Sequence, residues 1–182
     1  MFRFRIGPIP VLVHLTHFLI SGWLALSFAQ YLPSDGTWPS SIIGNPHHPD
    51  NHSTLALATL LWLGIISVSV LVHELGHAAS SRWFGYNAVI QLVGLGGTTQ
   101  TVAKDPTQPL ALPWHEEFRI VLAGPVFGFA LGAVAKLLLV LTHPPEVLAY
   151  VLQGTFWANT FWAVLNLMPV TPLDGAPCRG WC

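Results

Sequence analysis

Charged side chains are scarce in this sequence. Of its 182 residues, 7 are Lys or Arg and 8 are Asp or Glu, so that only 8% are charged, against about 25% in an average soluble domain. Hydrophobic residues make up 52% and the mean hydropathy is +0.56, which is more apolar surface than a soluble protein of this size hides. The composition therefore predicts a protein that crosses a membrane several times. It has no basic patch that would indicate a nucleic-acid partner.

Cysteine is almost absent as well. Cys178 and Cys182 both lie at the extreme end of the chain, so no disulfide framework is expected. The N-terminus, with basic residues before an apolar run, resembles a secretory signal. However, the run is longer than a typical signal core and no Ala-x-Ala cleavage site follows it. We therefore expect an uncleaved first span.

Long uncharged runs predict an all-α polytopic membrane fold with about four transmembrane helices in a single domain, residues 1–182. The expected spans are residues 9–31, 55–82, 119–141 and 147–168. In the third span, Gly128 and Gly132 have the i, i+4 spacing that permits close packing of helices, next to Ala123-Gly124-Pro125.

Basic residues predict the orientation of these spans. All but one of the 7 fall on one side of the membrane if the N-terminus is cytosolic, which is the usual positive-inside bias. They are Arg3, Arg5, Arg82, Lys104, Arg119 and Arg179, with Lys136 towards the other side. This orientation places the end of the second span near the cytosolic face.

Residues 85–103 carry no charge, but their glycines and β-branched residues do not suit a transmembrane helix. Two short extended runs around Gly94, Gly96 and Gly97 predict a β-hairpin. One interpretation is a re-entrant hairpin beside the end of the second span, whose edge could pair with an extended peptide. The other is a plain surface hairpin, and these residues favour the two equally. A polar connector is expected over residues 104–118.

The second span ends in His73-Glu74-Leu75-Gly76-His77. On a helix, positions i and i+4 share one face, so the two imidazoles could bind one zinc ion with Glu74 as the base for a water molecule. This HExxH pattern would arise by accident in about one sequence in a hundred of this composition. Ionisable groups in apolar surroundings are costly and usually functional, which favours a metal site.

The fourth span ends at a segment that reads Asn166-Leu-Met-Pro-Val-Thr-Pro-Leu-Asp174-Gly. Its two prolines end the helix, and Asp174 is the first charged residue after Glu146. An aspartate that emerges beside His73 and His77 needs a partner, and zinc would supply one. Two histidines and one aspartate leave the fourth tetrahedral position open, as a catalytic zinc site requires. The alternative is an aspartate that caps a turn at the membrane interface.

The remaining histidines indicate other roles. His14 and His17 share a helix face, where interhelical hydrogen bonding is favoured over a metal role. His115 is followed directly by two glutamates, but adjacent residues on a helix point in different directions. Three further histidines, His47, His48 and His52, belong to a polar loop at the opposite end of the second span from His73, so they cannot complete that site.

The HELGH and NLMPVTPLDG segments together resemble the paired signatures of the site-2 protease family, the intramembrane zinc metalloproteases. The resemblance implies that His73, His77 and Asp174 are zinc ligands, that Glu74 is the catalytic base, and that Asn166 orients substrate or transition state. Asn159 also matches a common asparagine of the family. The resemblance covers roughly residues 5–175, and two such signatures in this order are highly specific.

The activity implied is hydrolysis of a peptide bond in or next to a transmembrane segment of a protein substrate, within the bilayer. No segment resembles an inserted PDZ domain, so the compact prokaryotic type in the plasma membrane is expected. After Gly175 the sequence departs from the family pattern, and we expect C-terminal helices to be missing. A truncated, non-catalytic membrane protein that binds zinc or substrate is the alternative. A zinc transporter is disfavoured, because it would need ionisable residues along a path through the bilayer, whereas here they cluster at one side. The sequence does not specify an oligomeric state.

Overall fold

The fold combines helices with a small β-sheet. The structure is a computed structural model, and it describes residues 1–31, 52–105, 107 and 110–167. The strands are β1 (Phe2–Ile6), β2 (Ile9–Val13), β3 (Asn87–Val93) and β4 (Gly96–Val102). The helices are α1 (Leu15–Tyr31), α2 (His52–Trp83), α3 (Trp114–Thr142) and α4 (Glu146–Asn166).

Helix α2 is the centre of the fold, because it contacts α1, α3, α4 and both strands of the β3–β4 hairpin. Glycines permit the closest contacts. A Cβ on Gly76 of α2 would lie 2.5 Å from the Ala123 carbonyl oxygen of α3. A Cβ on Gly154 of α4 would lie 2.8 Å from Ile65 of α2. In α3, Gly128 and Gly132 are buried and face the side chain of Asn159 on α4, which confirms the predicted close packing.

Two helical stretches among the described residues are long and apolar enough to cross a membrane, namely Leu55–Trp83 and Trp114–Thr142. Helix α1 has 17 residues, slightly fewer than the about 20 that span the hydrocarbon region. The structure therefore supports two of the four expected spans on length and composition. Transmembrane crossing by α1 and α4 stays a prediction.

Helix α3 begins earlier than expected. Residues 104–118 were predicted to form a polar connector, but the helix starts at Trp114. Pro113, with φ −60° and ψ 141°, precedes it as the N-cap. Glu116 and Glu117 lie in the first turn, where negative charge complements the positive end of the helix dipole. The charge that suggested a connector instead stabilises a helix start.

The all-α prediction is wrong, because four strands form one sheet in the order β1-β2-β3-β4. β1 and β2 form an antiparallel hairpin, β2 pairs in parallel with β3, and β3 pairs antiparallel with β4. The β3–β4 hairpin confirms the predicted hairpin of residues 85–103. No described feature tests whether it is re-entrant.

The predicted start of the first span is also wrong, since residues 9–13 form β2 and α1 begins at Leu15. Gly7 has φ +56° and turns the chain between β1 and β2. Ile9, Val11 and Val13 are buried while the residues between them are half-buried, which is the period-two pattern of a strand. A short apolar run that continues directly into a helix hides this pattern, because strand and buried helix look alike over so few residues.

One face of the sheet packs against α2. The buried residues Val11, Ile90 and Leu92 belong to the hydrophobic core. The register Ile90↔Thr99 places Thr99 on this same face of β4. The sheet therefore presents a polar side chain to the half of α2 that carries the HELGH motif.

His17 of α1 ties the turn of this hairpin to α2. Its ring is fully buried, with Nδ1 3.1 Å from the Gly94 carbonyl oxygen and Nε2 3.2 Å from Ser67 Oγ. Gly94 has φ +61° at the turn, a conformation that favours glycine. The hydrogen bonds confirm the predicted structural role of His17.

We expect His17→Leu to lower the free energy of unfolding by about 1–3 kcal/mol, because the half-buried polar groups of Gly94 and Ser67 lose their partner in the fully buried His17 ring. Denaturant unfolding in detergent measures the change. His115→Leu, at an exposed position of α3, is the matched control and should change it by less than about 0.5 kcal/mol. Equal effects of the two variants would contradict the assigned role.

Candidate active site

His73 and His77 meet on the buried face of α2. Their Nε2 atoms lie 3.1 Å apart, and the two side chains are only 4% and 7% exposed. The rings are nearly perpendicular, with an interplanar angle of 77°. The structure therefore brings together the two imidazoles that the i, i+4 spacing predicted.

The backbone of α3 sets the tautomer of His77. Its Nδ1 lies 2.7 Å from the carbonyl oxygen of Ile120, and because a carbonyl can only accept, Nδ1 must carry the proton. In the neutral ring, Nε2 then presents its lone pair towards His73. A ring N–H donated to a backbone carbonyl is the usual support of a metal-binding histidine.

Gly124 of α3 makes room for both rings. A Cβ at this position would overlap His77 Nε2 and would lie 2.8 Å from His73 Nε2. The imidazoles therefore rest directly on the backbone of α3 beside Pro125, which is buried. The buried pocket for the two nitrogens depends on a glycine one helix away from them.

Glu74 lies against strand β4. Thr99 Oγ1 donates to Glu74 Oε2 at 2.7 Å, and a Cβ on Gly97 would lie 2.5 Å from Glu74 Cγ. The glutamate is only 4% exposed. Sequence analysis missed Thr99, although an alternation of polar residues on a strand beside an HExxH helix is a usable signal.

Asn166, at the end of α4, is brought to the histidine pair. Its Nδ2 lies 3.3 Å from His73 Nε2, and the residue is 9% exposed. Asn159, two turns earlier, donates from Nδ2 to Ser69 Oγ at 2.8 Å. Asp174, the predicted third ligand, lies outside the described residues.

Among the described residues, His17 and His115 do not join this site. His17 binds Gly94 and Ser67 as described above, and His115 is exposed at the start of α3. His52 begins α2, at the opposite end of the helix from the motif. His47 and His48 lie outside the described residues, as do Cys178 and Cys182.

The donor set fits part of a zinc site. No three His, Cys, Asp or Glu side chains that could hold a metal come together within the described ranges. The two imidazoles alone have suitable geometry, since nitrogens bound to one tetrahedral zinc at about 2.0–2.1 Å lie about 3.3 Å apart. The observed Nε2–Nε2 distance of 3.1 Å is close to this value.

Comparison with known proteins identifies the family. The model of Peptidase family M50 matches residues 61–151, half of the chain, and the chain belongs to this family. The matched region contains the HELGH motif, the β3–β4 hairpin and α3. This confirms the resemblance to the site-2 proteases, a membrane-embedded family.

Curated relatives match in sequence as well. Stage IV sporulation protein FB of Bacillus subtilis is 36% identical over 111 residues, which are 58% of this chain and 34% of that protein. Rip3 of Mycobacterium tuberculosis, whose name describes a zinc metalloprotease, is 30% identical over 114 residues, or 61% of this chain and 28% of that protein. The matches thus span about a third of the length of these relatives.

The fold also matches a solved structure. Site-2 protease from Methanocaldococcus jannaschii aligns with a TM-score of 0.57 over 96% of this chain and 68% of that one, at 21% identity. At this identity the likeness shows the fold. It supports the mixed arrangement of helices and sheet that replaces the all-α prediction.

We expect Gly124→Ala to abolish stoichiometric zinc binding, because the added methyl group would occupy the space of the His77 and His73 nitrogens. Metal analysis of the detergent-purified protein measures the zinc content. Gly64→Ala in α2 is the matched control, since nothing lies within 4 Å of a Cβ there. Wild-type zinc content in Gly124→Ala would contradict the predicted pocket.

Proposed function

We propose that this chain is a zinc-dependent endopeptidase that hydrolyses a peptide bond in or next to a transmembrane segment of a protein substrate. The observation that carries the proposal is the buried pair of Nε2 atoms 3.1 Å apart on His73 and His77. Membership of Peptidase family M50 and the names of zinc metalloprotease relatives support it.

Zinc would be held by His73, His77 and Asp174. When bound, zinc supplies Lewis acidity, which makes a water molecule easier to deprotonate and polarises a carbonyl group. The tautomer fixed by Ile120 keeps one nitrogen of His77 available as a ligand. Asp174 would complete the ligand set from the segment that follows α4.

Glu74 follows His73 directly on α2 and is buried against β4. In the proposed reaction its carboxylate accepts a proton from water and passes it to the leaving amine. The Asn166 amide, 3.3 Å from His73 Nε2, is a donor that would orient the substrate carbonyl or the developing oxyanion.

An extended substrate segment fits the edge of the sheet. β4 is the last strand in the order β1-β2-β3-β4, so one side of it has no strand neighbour within the described part of the chain. A peptide can add to such an edge by main-chain hydrogen bonds. A transmembrane substrate would have to unwind locally before it could bind in this way.

The proposed location is a prokaryotic plasma membrane, with the N-terminus and the active site towards the cytosol. The apolar helices α2 and α3 support a membrane location. The orientation rests on the distribution of basic residues.

We expect Glu74→Gln to lower cleavage of a membrane-spanning reporter by at least about 100-fold, the usual contribution of a general base. Zinc content should stay unchanged, since the imidazoles are intact. Glu146→Gln, an exposed glutamate at the start of α4, is the control and should cleave at the wild-type rate. Equal cleavage by Glu74→Gln and wild type would exclude the proposed protease mechanism.

We expect Asp174→Ala to reduce zinc content well below one ion per chain, because two imidazoles alone bind weakly. Metal analysis after dialysis against a mild chelator measures the loss. Asp105→Ala, at an exposed position before α3, should retain the metal. Full zinc retention in Asp174→Ala would show that the third ligand is another residue.

A further inference from the structure

Thr99 contacts the proposed base directly. Its Oγ1 lies 2.7 Å from Glu74 Oε2 and 3.1 Å from the Glu74 main-chain oxygen. The main-chain oxygen can only accept, and so can an ionised carboxylate, so the single hydroxyl proton of Thr99 must be donated to this pair. The shorter distance assigns the stronger hydrogen bond to the carboxylate.

The backbone of β4 confines the same side chain from another direction. A Cβ on Gly97 would lie 2.9 Å from both Cδ and Oε1 of Glu74, so the carboxylate packs on the main chain there. Gly97 and Thr99 are two residues apart and therefore share one face of the strand. Strand β4 thus restricts Glu74 both by packing and by a directional hydrogen bond.

This strand is also the edge at which we place the substrate. Because the hydroxyl and the edge belong to the same short strand, a substrate paired with β4 would be held at a fixed position relative to the carboxylate. Preorganised geometry of this kind contributes strongly to catalytic rates, since a small misplacement of a catalytic group is costly.

We propose that Thr99 is a positioning residue, which orients the Glu74 carboxylate from the strand that receives the substrate. The inference rests on the proposed function. It adds a residue that lies outside the HELGH and NLMPVTPLDG segments and that acts through Glu74.

The test is the steady-state kinetics of reporter cleavage by Thr99→Val and Thr99→Ser in the full chain. Valine keeps the shape and the strand preference of threonine but lacks the hydroxyl. We expect kcat to fall about 10- to 100-fold in Thr99→Val, as for loss of a hydrogen bond to a charged group. KM should change by less than about twofold, since the main-chain edge of β4 that would bind the substrate is unchanged. Thr99→Ser, which restores the hydroxyl, should recover kcat to within about threefold of wild type.

Two matched controls remove a hydroxyl from the same strand. Thr101 lies on the same face as Thr99, with Oγ1 2.8 Å from Ser81 Oγ, and Thr98 is exposed on the opposite face. Thr101→Val and Thr98→Val should keep kcat and KM near wild type. Zinc content should be the same in all variants, and each variant should keep a cooperative thermal unfolding transition.

Three outcomes would overturn the role of Thr99. They are a kcat in Thr99→Val no lower than in Thr101→Val, a failure of Thr99→Ser to recover activity, and a fall in kcat that follows a loss of zinc. Should Thr99→Val not fold, Thr99→Ala against Thr99→Ser gives the same comparison. An inactive Glu74→Gln with a fully active Thr99→Val would reject this inference alone, whereas an active Glu74→Gln would reject the protease function.

Discussion

The close contact between α2 and α3 is the constraint on which the site depends. Gly76 lets α2 approach the Ala123 carbonyl, and Gly124 leaves the space that the two imidazoles fill. With side chains at these positions the helices would have to separate, and the Ile120 carbonyl would no longer reach His77 at 2.7 Å. Helices in a membrane gain little from hydrophobic association, so close contacts of small residues are the usual means of packing them. Here the same glycines that pack the helices also shape the candidate metal pocket.

A stripe of buried polar residues along α2 determines where α3, α4 and β4 pack against this helix. Ser69, His73, His77 and Ser81 follow one another at i, i+4 spacing, and all are buried. Ser69 pairs with Asn159 and His73 with Asn166, both on α4. His77 pairs with the Ile120 carbonyl of α3, and Ser81 pairs with Thr101 of β4. Buried polar groups are costly unless they are paired. Each pair therefore favours one placement of a neighbouring element, and the site lies in the middle of the stripe.

This stripe explains what the sequence could predict. The i, i+4 rule is local, so the meeting of His73 and His77 was predictable from the chain alone. The β3–β4 hairpin is local as well, with turn and strand signals within a few residues of each other. The contributions of Ile120 and Gly124 could not be predicted in this way, because they are backbone features of another helix. The β1–β2 hairpin is local too, but it was missed because the short apolar run of β2 continues almost directly into α1 and hides the strand pattern.

No strand of the described residues pairs with the outer edge of β4, and this edge places a further demand on the surroundings of the site. Unpaired main-chain groups are not tolerated in lipid-exposed positions at hydrocarbon depth, so the edge of β4 must face water, protein or a bound peptide. Thr99 and Thr101 of β4 contact Glu74 and Ser81 of α2, which places this edge beside the half of α2 that carries the motif. The proposed hydrolysis would need water at that same half. One hydrated region would therefore satisfy both the backbone at the edge of β4 and the need for water at Glu74, and under the proposed function an edge strand and the candidate metal-binding helix would share one site.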